Sequence, residues 1–258
     1  MLIDTNTGDP ENNAVILNAL SELEITTLDY LVFSHPHRDH IGGYKALFNA
    51  GIAVRQVYIN DNFDYSSGSS GLVTYMANHS IPCNVLFEGD SFLFGNSISV
   101  EVFNPPADYA YNDNYTQVTN SGSLLMKFVY GDSSFLTGGD IYTAQENVIV
   151  AKYGSELDVD IVKMNHHGAS TSNSAAWVTA TSPLVAVSEL DTVTSEEVWD
   201  RYRDAGSLAL NVGIDGTVAV HTSGDGEYIV VTSRGRSAPS EMSFGLQSDV
   251  VPSGVTLR

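Results

Sequence analysis

The sequence predicts a layered α/β fold, and three observations predict it. Short apolar β-type runs alternate with stretches of helical spacing through both halves of the chain. Glycine, asparagine and aspartate turns punctuate those runs at short intervals. The densest polar motif, His35-Pro36-His37-Arg38-Asp39-His40, directly follows the apolar run Leu31-Val32-Phe33. A strand end is where an open α/β sheet places its chemistry.

The elements follow in order. Met1-Leu2-Ile3 reads as a short buried strand turning at Asp4-Thr5, and residues 12–23 carry Ala14, Val15, Leu17, Leu20 and Leu23 at helical spacing. Residues 28–33 are a strand entering the histidine motif. After Gly42-Gly43, residues 44–50 read as a short helix stopped by Gly51. Residues 54–59 are a strand, 66–71 a Ser/Gly link, and 72–79 a helix. Residues 85–87, 92–94 and 98–103 are strands separated by Gly89-Asp90 and Gly95-Asn96 turns.

Residues 104–121 are polar, tyrosine-rich and long for a plain connection, so they read as a functional loop. Tyr109, Tyr111 and Tyr115 either wall a cleft there or pack locally. Residues 123–130 and 134–137 form a hairpin through Gly131-Asp132, and 143–153 a helix. Residues 159–162 are a strand with Asn165-His166-His167-Gly168 just beyond it. A helix over 175–180 and a strand over 184–187 precede a helix over 195–205, capped by Ser195 and ended by Gly206. Strands over 208–212, 217–221 and 228–232 close the pattern. One domain is expected over 1–233, with a loosely docked tail over 234–258.

Composition narrows the function. A chain of 258 residues that is 43% hydrophobic can bury a sizeable core. Cys83 is the single cysteine, so no intrachain disulfide forms, and it reads as a small buried hydrophobe. The net charge of −20 repels polyanions and anionic membrane surfaces. It does not exclude a phosphate substrate, because bound dications reverse the local sign. Only four of the eleven basic residues are lysine, a surface type that suggests adaptation to salt. No signal-peptide pattern opens the chain, and no apolar run approaches the roughly 20 residues of a membrane helix. The expectation is a soluble chain, cytoplasmic by default, with no membrane partner. Arg201-Arg203 and Arg234-Arg236 read as solvated surface, His79 and His221 as element ends, and Trp177 and Trp199 as packing residues.

The histidine motif offers three imidazoles and a carboxylate within six residues. Such donors suit zinc first, and manganese, iron or nickel less well. His35 and His37, two apart, can bind one ion side by side. Asp39 and His40, a turn further on, can bind a second. Asp140 follows Gly138-Gly139 at the end of a β run, placed either to bridge two cations or to cap the helix near Thr143. Of the adjacent His166 and His167, one can ligate while the other faces a substrate.

In this order, the histidine motif, Leu136-Thr137-Gly138-Gly139-Asp140 and Asn165-His166-His167-Gly168 resemble the metallo-β-lactamase superfamily. The closer resemblance is to its ComEC-like branch of competence-protein domains. Leu2-Ile3-Asp4-Thr5, Asn104-Pro105-Pro106, residues 120–130, Tyr130-Gly131-Asp132, Lys163 and Ser170-Thr171-Ser172 also match, so it covers residues 1 to about 233. The resemblance implies an αββα sandwich of two mixed β-sheets between helical layers. It implies two divalent ions, zinc before manganese. His35, His37 and Asp140 would hold the first; Asp39, His40, Asp140 and His167 would hold the second. A hydroxide bridging them would be the nucleophile. Asp39 would orient it, and His166 would face the substrate. These two are the candidate catalytic residues. Asp4 would support the histidine loop from behind, and Asn120 and Ser121 stand where many relatives place a further histidine, beside the substrate.

The implied activity is a dinuclear metal-dependent hydrolase of the phosphodiesterase or nuclease kind. The low basic content favours a small phosphodiester or short nucleic-acid strand over duplex DNA. The alternatives are a lactam or lactone hydrolase, or a metal-binding domain that has lost catalysis. Relatives carry two strands ahead of Leu2-Ile3-Asp4. Those N-terminal strands are expected to be missing, leaving a sheet edge through which two copies could pair.

Overall fold

The computed structural model describes residues 1–64, 70–111 and 116–235. The chain divides into two compact units. One is Met1–Asp90 with Val102–Leu124; the other, over the described residues, is Ser91–Glu101 with residues 125–235.

In the first unit, β1 (Leu2–Ile3) leads through α1 (Pro10–Glu22) to β2 (Thr27–Val32). Two short helices, α2 (Arg38–Ile41) and α3 (Tyr44–Asn49), return the chain to β3 (Ala53–Ile59). A further helix, α4 (Ser70–Asn78), returns it to β4 (Cys83–Val85). The sheet order is β1-β2-β3-β4. Every pairing in it is parallel, with Leu2 opposite Leu31, Val32 opposite Tyr58 and Val57 opposite Cys83. This sheet is therefore not mixed, as the sequence reading expected, because each connection is a helical crossover that restores the strand direction. Pro10 starts α1 at a position where a missing N–H costs nothing.

The β2 pattern puts Leu28, Leu31, Val32 and Phe33 inside, each at most 2% exposed. Of these, Leu28, Leu31 and Phe33 pack with Leu47, Val57, Phe63, Leu72 and Met76. Each such side chain contributes about 1.5–3 kcal/mol by leaving water. Cys83 is half-buried against this core rather than enclosed. The stretch read as a loop over 104–121 ends in a helix, α5 (Thr116–Ser121). No apolar periodicity marked α5 in the sequence.

In the second unit, β5 (Ser91–Phe94), β6 (Ile98–Asn104), β7 (Leu125–Tyr130) and β8 (Ser133–Thr137) come first; the last residues of β6 pass into the other unit. Then α6 (Thr143–Tyr153), β9 (Ile161–Lys163), α7 (Ala175–Thr181), β10 (Val185–Ser188), α8 (Glu196–Asp204) and β11 (Leu208–Asn211) alternate. The sheet order is β11-β10-β9-β8-β7-β6-β5. It is mixed: β7 and β8 are antiparallel, while β8, β9, β10 and β11 run parallel. Ser195 caps α8 by accepting from the Val198 N–H. A one-turn helix α9 (Val212–Asp215) interrupts the expected run of strands. Its cap is Asn211, whose side chain accepts from Gly213 and Ile214. The last strands, β12 (Val218–His221) and β13 (Ile229–Thr232), make a separate antiparallel ribbon, a third sheet that the sequence did not announce. Trp177 is fully buried and Trp199 nearly so. Apart from residues 234 and 235, the expected tail lies outside the described residues. Among those residues no helix is long and apolar enough to cross a membrane.

Candidate metal centre

In the first unit the histidine motif begins where β2 ends. Phe33 donates its N–H to the Tyr58 carbonyl, and the Ser34 carbonyl accepts from Leu124. The chain then turns into α2, with His37 as its N-cap. His35 and His40 are buried, His37 is half-buried and Asp39 is exposed. Gly42 permits the loop to close against the 5–8 segment. A Cβ there would stand 2.1 Å from the Thr7 carbonyl oxygen and 2.7 Å from that of Arg38, so only glycine fits.

A short chain of polar contacts orients the imidazoles. Asp4 Oδ1 accepts from the Ser34 N–H at 2.7 Å, and Asp4 Oδ2 accepts from Ser34 Oγ at 2.7 Å. Asp4 Oδ2 also lies 2.7 Å from His40 Nδ1, which places the His40 proton on Nδ1 and the lone pair on Nε2. Thr5 holds the His40 carbonyl through both its N–H and its hydroxyl. Ser34 Oγ is 3.2 Å from His35 Nδ1, and His35 Nε2 faces His37 Nδ1 at 2.9 Å. His40 Nε2 and Asp39 Oδ2 are 3.7 Å apart. Arg38, although inside the motif, points to the surface and pairs with Asp9 at 2.9 Å, an exposed contact worth little.

Asn120 and Ser121 end α5 and are both buried. Asn104 Nδ2 holds the Ser121 and Ser123 carbonyls, and Asn60 Nδ2 holds that of Gly122. Tyr111 donates its hydroxyl to the Gly122 carbonyl and Tyr109 to that of Val118. Burial pushes the Tyr111 hydroxyl well up, with Tyr109 and Asp61 adding to the effect. These two tyrosines therefore brace the segment that carries Asn120. Tyr115 lies outside the described residues. The Asn120 Oδ1 atom is buried without a hydrogen-bond partner among the described residues.

In the second unit Asp140 follows the Gly138-Gly139 turn after β8 and is 2% exposed. Its Oδ1 lies 3.5 Å from His167 Nε2, and its Oδ2 lies 3.9 Å from His166 Nε2. His166 and His167 both take left-handed backbone angles, φ 49° and 55°. For residues other than glycine that conformation costs about 1–3 kcal/mol each, and it persists only where the surroundings impose it. Here they do. The His166 N–H bonds the Gly139 carbonyl, while Ser188 Oγ and Thr194 Oγ1 donate to the His167 carbonyl. His166 Nδ1 pairs with Thr171 Oγ1 at 2.6 Å, and its ring lies against Tyr142. Buried Lys163 donates to the Gly139 and Met164 carbonyls and approaches Glu189.

The donor set fits a divalent ion. Among the described residues, Asp39 and His40 in the first unit and Asp140 and His167 in the second are candidate metal-holding side chains. Within each unit the carboxylate-to-imidazole separation, 3.7 Å for Asp39–His40 and 3.5 Å for Asp140–His167, exceeds a hydrogen bond. Two atoms each about 2.1 Å from one tetrahedral ion stand about 3.4 Å apart. Ser34, Asn173 and Glu146 were not named in the sequence reading, and Thr5 and Asn165 were named only as members of motifs, with no role given. Their hydrogen bonds orient the loops that carry the candidate ligands, and no local residue pattern announces that.

A family model described as metallo-beta-lactamase superfamily matches residues 1–75. The chain is 26% identical over 226 residues to the competence protein ComA of Neisseria gonorrhoeae. That match takes in 84% of this chain and 28% of ComA, so the chain spans under a third of the relative's length. Among solved structures, a variant of the CmlA beta-hydroxylase superposes with a TM-score of 0.51 at 14% identity, over 72% of this chain and 43% of that one. CmlA itself, a diiron beta-hydroxylase from Streptomyces venezuelae, gives 0.47 at 14% identity over 72% and 44%. The first of these shows a shared fold.

Proposed function

We infer, on the premise that this chain is a ComEC-like domain of the metallo-β-lactamase superfamily, that it is a dinuclear metal-dependent hydrolase of phosphodiesters. The observation that carries the reading is the pair of carboxylate–imidazole contacts, Asp39 with His40 and Asp140 with His167. Both are set at ligand spacing rather than hydrogen-bond spacing. The residues that would hold the ions are His35, His37 and Asp140 for one, and Asp39, His40, Asp140 and His167 for the other. Imidazole and carboxylate donors without a thiolate favour zinc, with manganese next. Ions bound there would supply an acidified water and positive charge against both the attacking and leaving oxygens of a phosphodiester.

The chain's own residues do the rest. Asp4 fixes the His40 ring, and Ser34 fixes that of His35. Asp39 is half exposed, so its carboxylate can reach and orient an incoming water. The pairing of His166 Nδ1 with Thr171 fixes the ring of the residue proposed to face the substrate. The net charge of −20 supports a small phosphodiester or short strand over long nucleic acid.

The test is a panel with bis-p-nitrophenyl phosphate, short single-stranded DNA, a lactone and a chromogenic cephalosporin, run with zinc and with manganese. The expected result is turnover of the first two substrates, lost by at least about 100-fold in His37→Ala and Asp140→Ala. Turnover confined to the lactone or cephalosporin would replace the phosphodiester by a carbonyl substrate. Wild-type turnover in either variant would contradict the ligand assignment.

A further inference from the structure

Glu146, on α6, belongs to none of the metal-type motifs, yet it is 0% exposed. Its Oε1 accepts from Asn165 Nδ2 at 2.9 Å and from the Asn173 backbone N–H at 2.6 Å; its Oε2 accepts from the Ser174 N–H at 2.8 Å. Asn173 closes the arrangement. Its Oδ1 accepts from the Asn165 N–H and from the Tyr202 hydroxyl, and its Nδ2 donates to the Asn165 carbonyl. Arg201 donates to the Asn173 carbonyl. One carboxylate thus gathers both ends of the 165–174 loop, the loop that carries His166 and His167.

That loop needs such a tie. His166, His167 and Asn173 all have positive φ without being glycine. Left to itself the chain relaxes from that conformation, and His167 Nε2 turns away from Asp140. A buried carboxylate is a costly way to stabilise a fold, since an apolar side chain of similar volume usually does as well or better. What it provides here is direction. An ionised carboxylate accepts only, so three N–H donors on two separate stretches of chain converge on one point.

We propose that Glu146 is a positioning residue for the metal centre, acting through Asn165 and Asn173 to hold the left-handed His166–His167 turn in its ion-binding form. The proposal rests on the reading that His167 is a ligand. Glu146 touches neither ion nor substrate; its effect is on how well His167 is presented. Glu146→Gln keeps the volume but turns an N–H₂ group toward an N–H donor, which unsettles one end of the loop.

The experiment uses the full chain and metal alone, with Mn²⁺ titrated by calorimetry and Co²⁺ followed by its visible absorption. Four proteins are compared: wild type, Glu146→Gln, His167→Ala and the double variant. Glu146→Gln is expected to weaken the second-bound ion by about 10–100-fold, leave the first nearly unchanged and shift the Co²⁺ spectrum. The double variant is expected to bind no more weakly than His167→Ala, because both changes act through one imidazole. Wild-type affinity and spectrum in Glu146→Gln would overturn the proposal whatever its melting temperature, as would losses that multiply in the double variant. Where Glu146→Gln does not fold, Asn165→Ala removes one link and is expected to weaken the same ion; unchanged binding there overturns the proposal equally. An unchanged His167→Ala would overturn the metal-centre reading itself, and this inference with it. A weakened His167→Ala beside an unchanged Glu146→Gln overturns the inference alone.

Discussion

Asp4 Oδ2 stands 2.7 Å from His40 Nδ1, across a gap of 36 residues in sequence. The same carboxylate accepts from the Ser34 N–H and hydroxyl, so one half-buried side chain sets both the start and the end of the histidine motif. Asp4→Ala is predicted to weaken metal binding by about 10–100-fold, as loss of an outer carboxylate partner of a ligating imidazole does. It is also predicted to lower stability by about 1–3 kcal/mol, because the Ser34 N–H loses its acceptor. Calorimetric titration and urea unfolding of the same preparation measure both. Undiminished affinity would show that His40 is oriented by something else.

Gly42 is predicted to be irreplaceable. An added Cβ meets the Thr7 carbonyl carbon at 2.3 Å and its oxygen at 2.1 Å, and both are backbone atoms that cannot rotate away. Gly42→Ala is expected to cost about 1–3 kcal/mol by overpacking and to move α2, weakening the ion with it. A urea midpoint equal to wild type would contradict the close approach.

How far the sequence revealed this arrangement differs from residue to residue. The strands carrying Leu31-Val32-Phe33 and Val57-Ile59 were legible because apolar residues cluster at strand length next to turn residues. The ligand candidates were legible because His35 to His40 concentrate one donor chemistry in one loop. The α5 helix was not legible: Thr116 to Ser121 is a polar segment whose helicity comes from tertiary anchors such as Asn104 on the Ser121 carbonyl. The parallel first sheet was missed because strand direction follows from crossovers, not from the residues of a strand. Glu146 was missed for a related reason. An acidic residue inside a helical stretch reads as solvated surface until its partners from residues 165, 173 and 174 are known.

Glu146 also gives a pH prediction. Burial raises its carboxyl above the ordinary value, opposed in part by the donors from Asn165, Ser174 and Asn173. A group whose folded value lies above its unfolded one stabilises the fold at pH below the unfolded value, and that contribution is lost as pH rises through the raised value. Metal-free wild type is therefore expected to lose stability relative to Glu146→Gln as pH climbs from about 4 toward neutrality. Paired melting curves across that range measure it. A difference that stays flat with pH would contradict the assigned direction.

The net charge of −20, with four lysines in the chain, predicts a salt response. Repulsion among exposed carboxylates is screened within about 3 Å at molar salt, against about 30 Å at 0.01 M. The unfolding midpoint is expected to be higher in molar potassium or sodium chloride than in dilute buffer. Equal midpoints would remove salt adaptation from the account.

The central claim is that side chains of the 35–40 loop, Asp140 and His167 share a pair of cations. Metal content per chain, measured on wild type and on Asp140→Ala after equilibration with zinc and desalting, tests it most directly. The account predicts two ions per chain in wild type, and fewer than one in Asp140→Ala because that carboxylate would serve both. Less than one ion per wild-type chain, or an unchanged pair in Asp140→Ala, would contradict it.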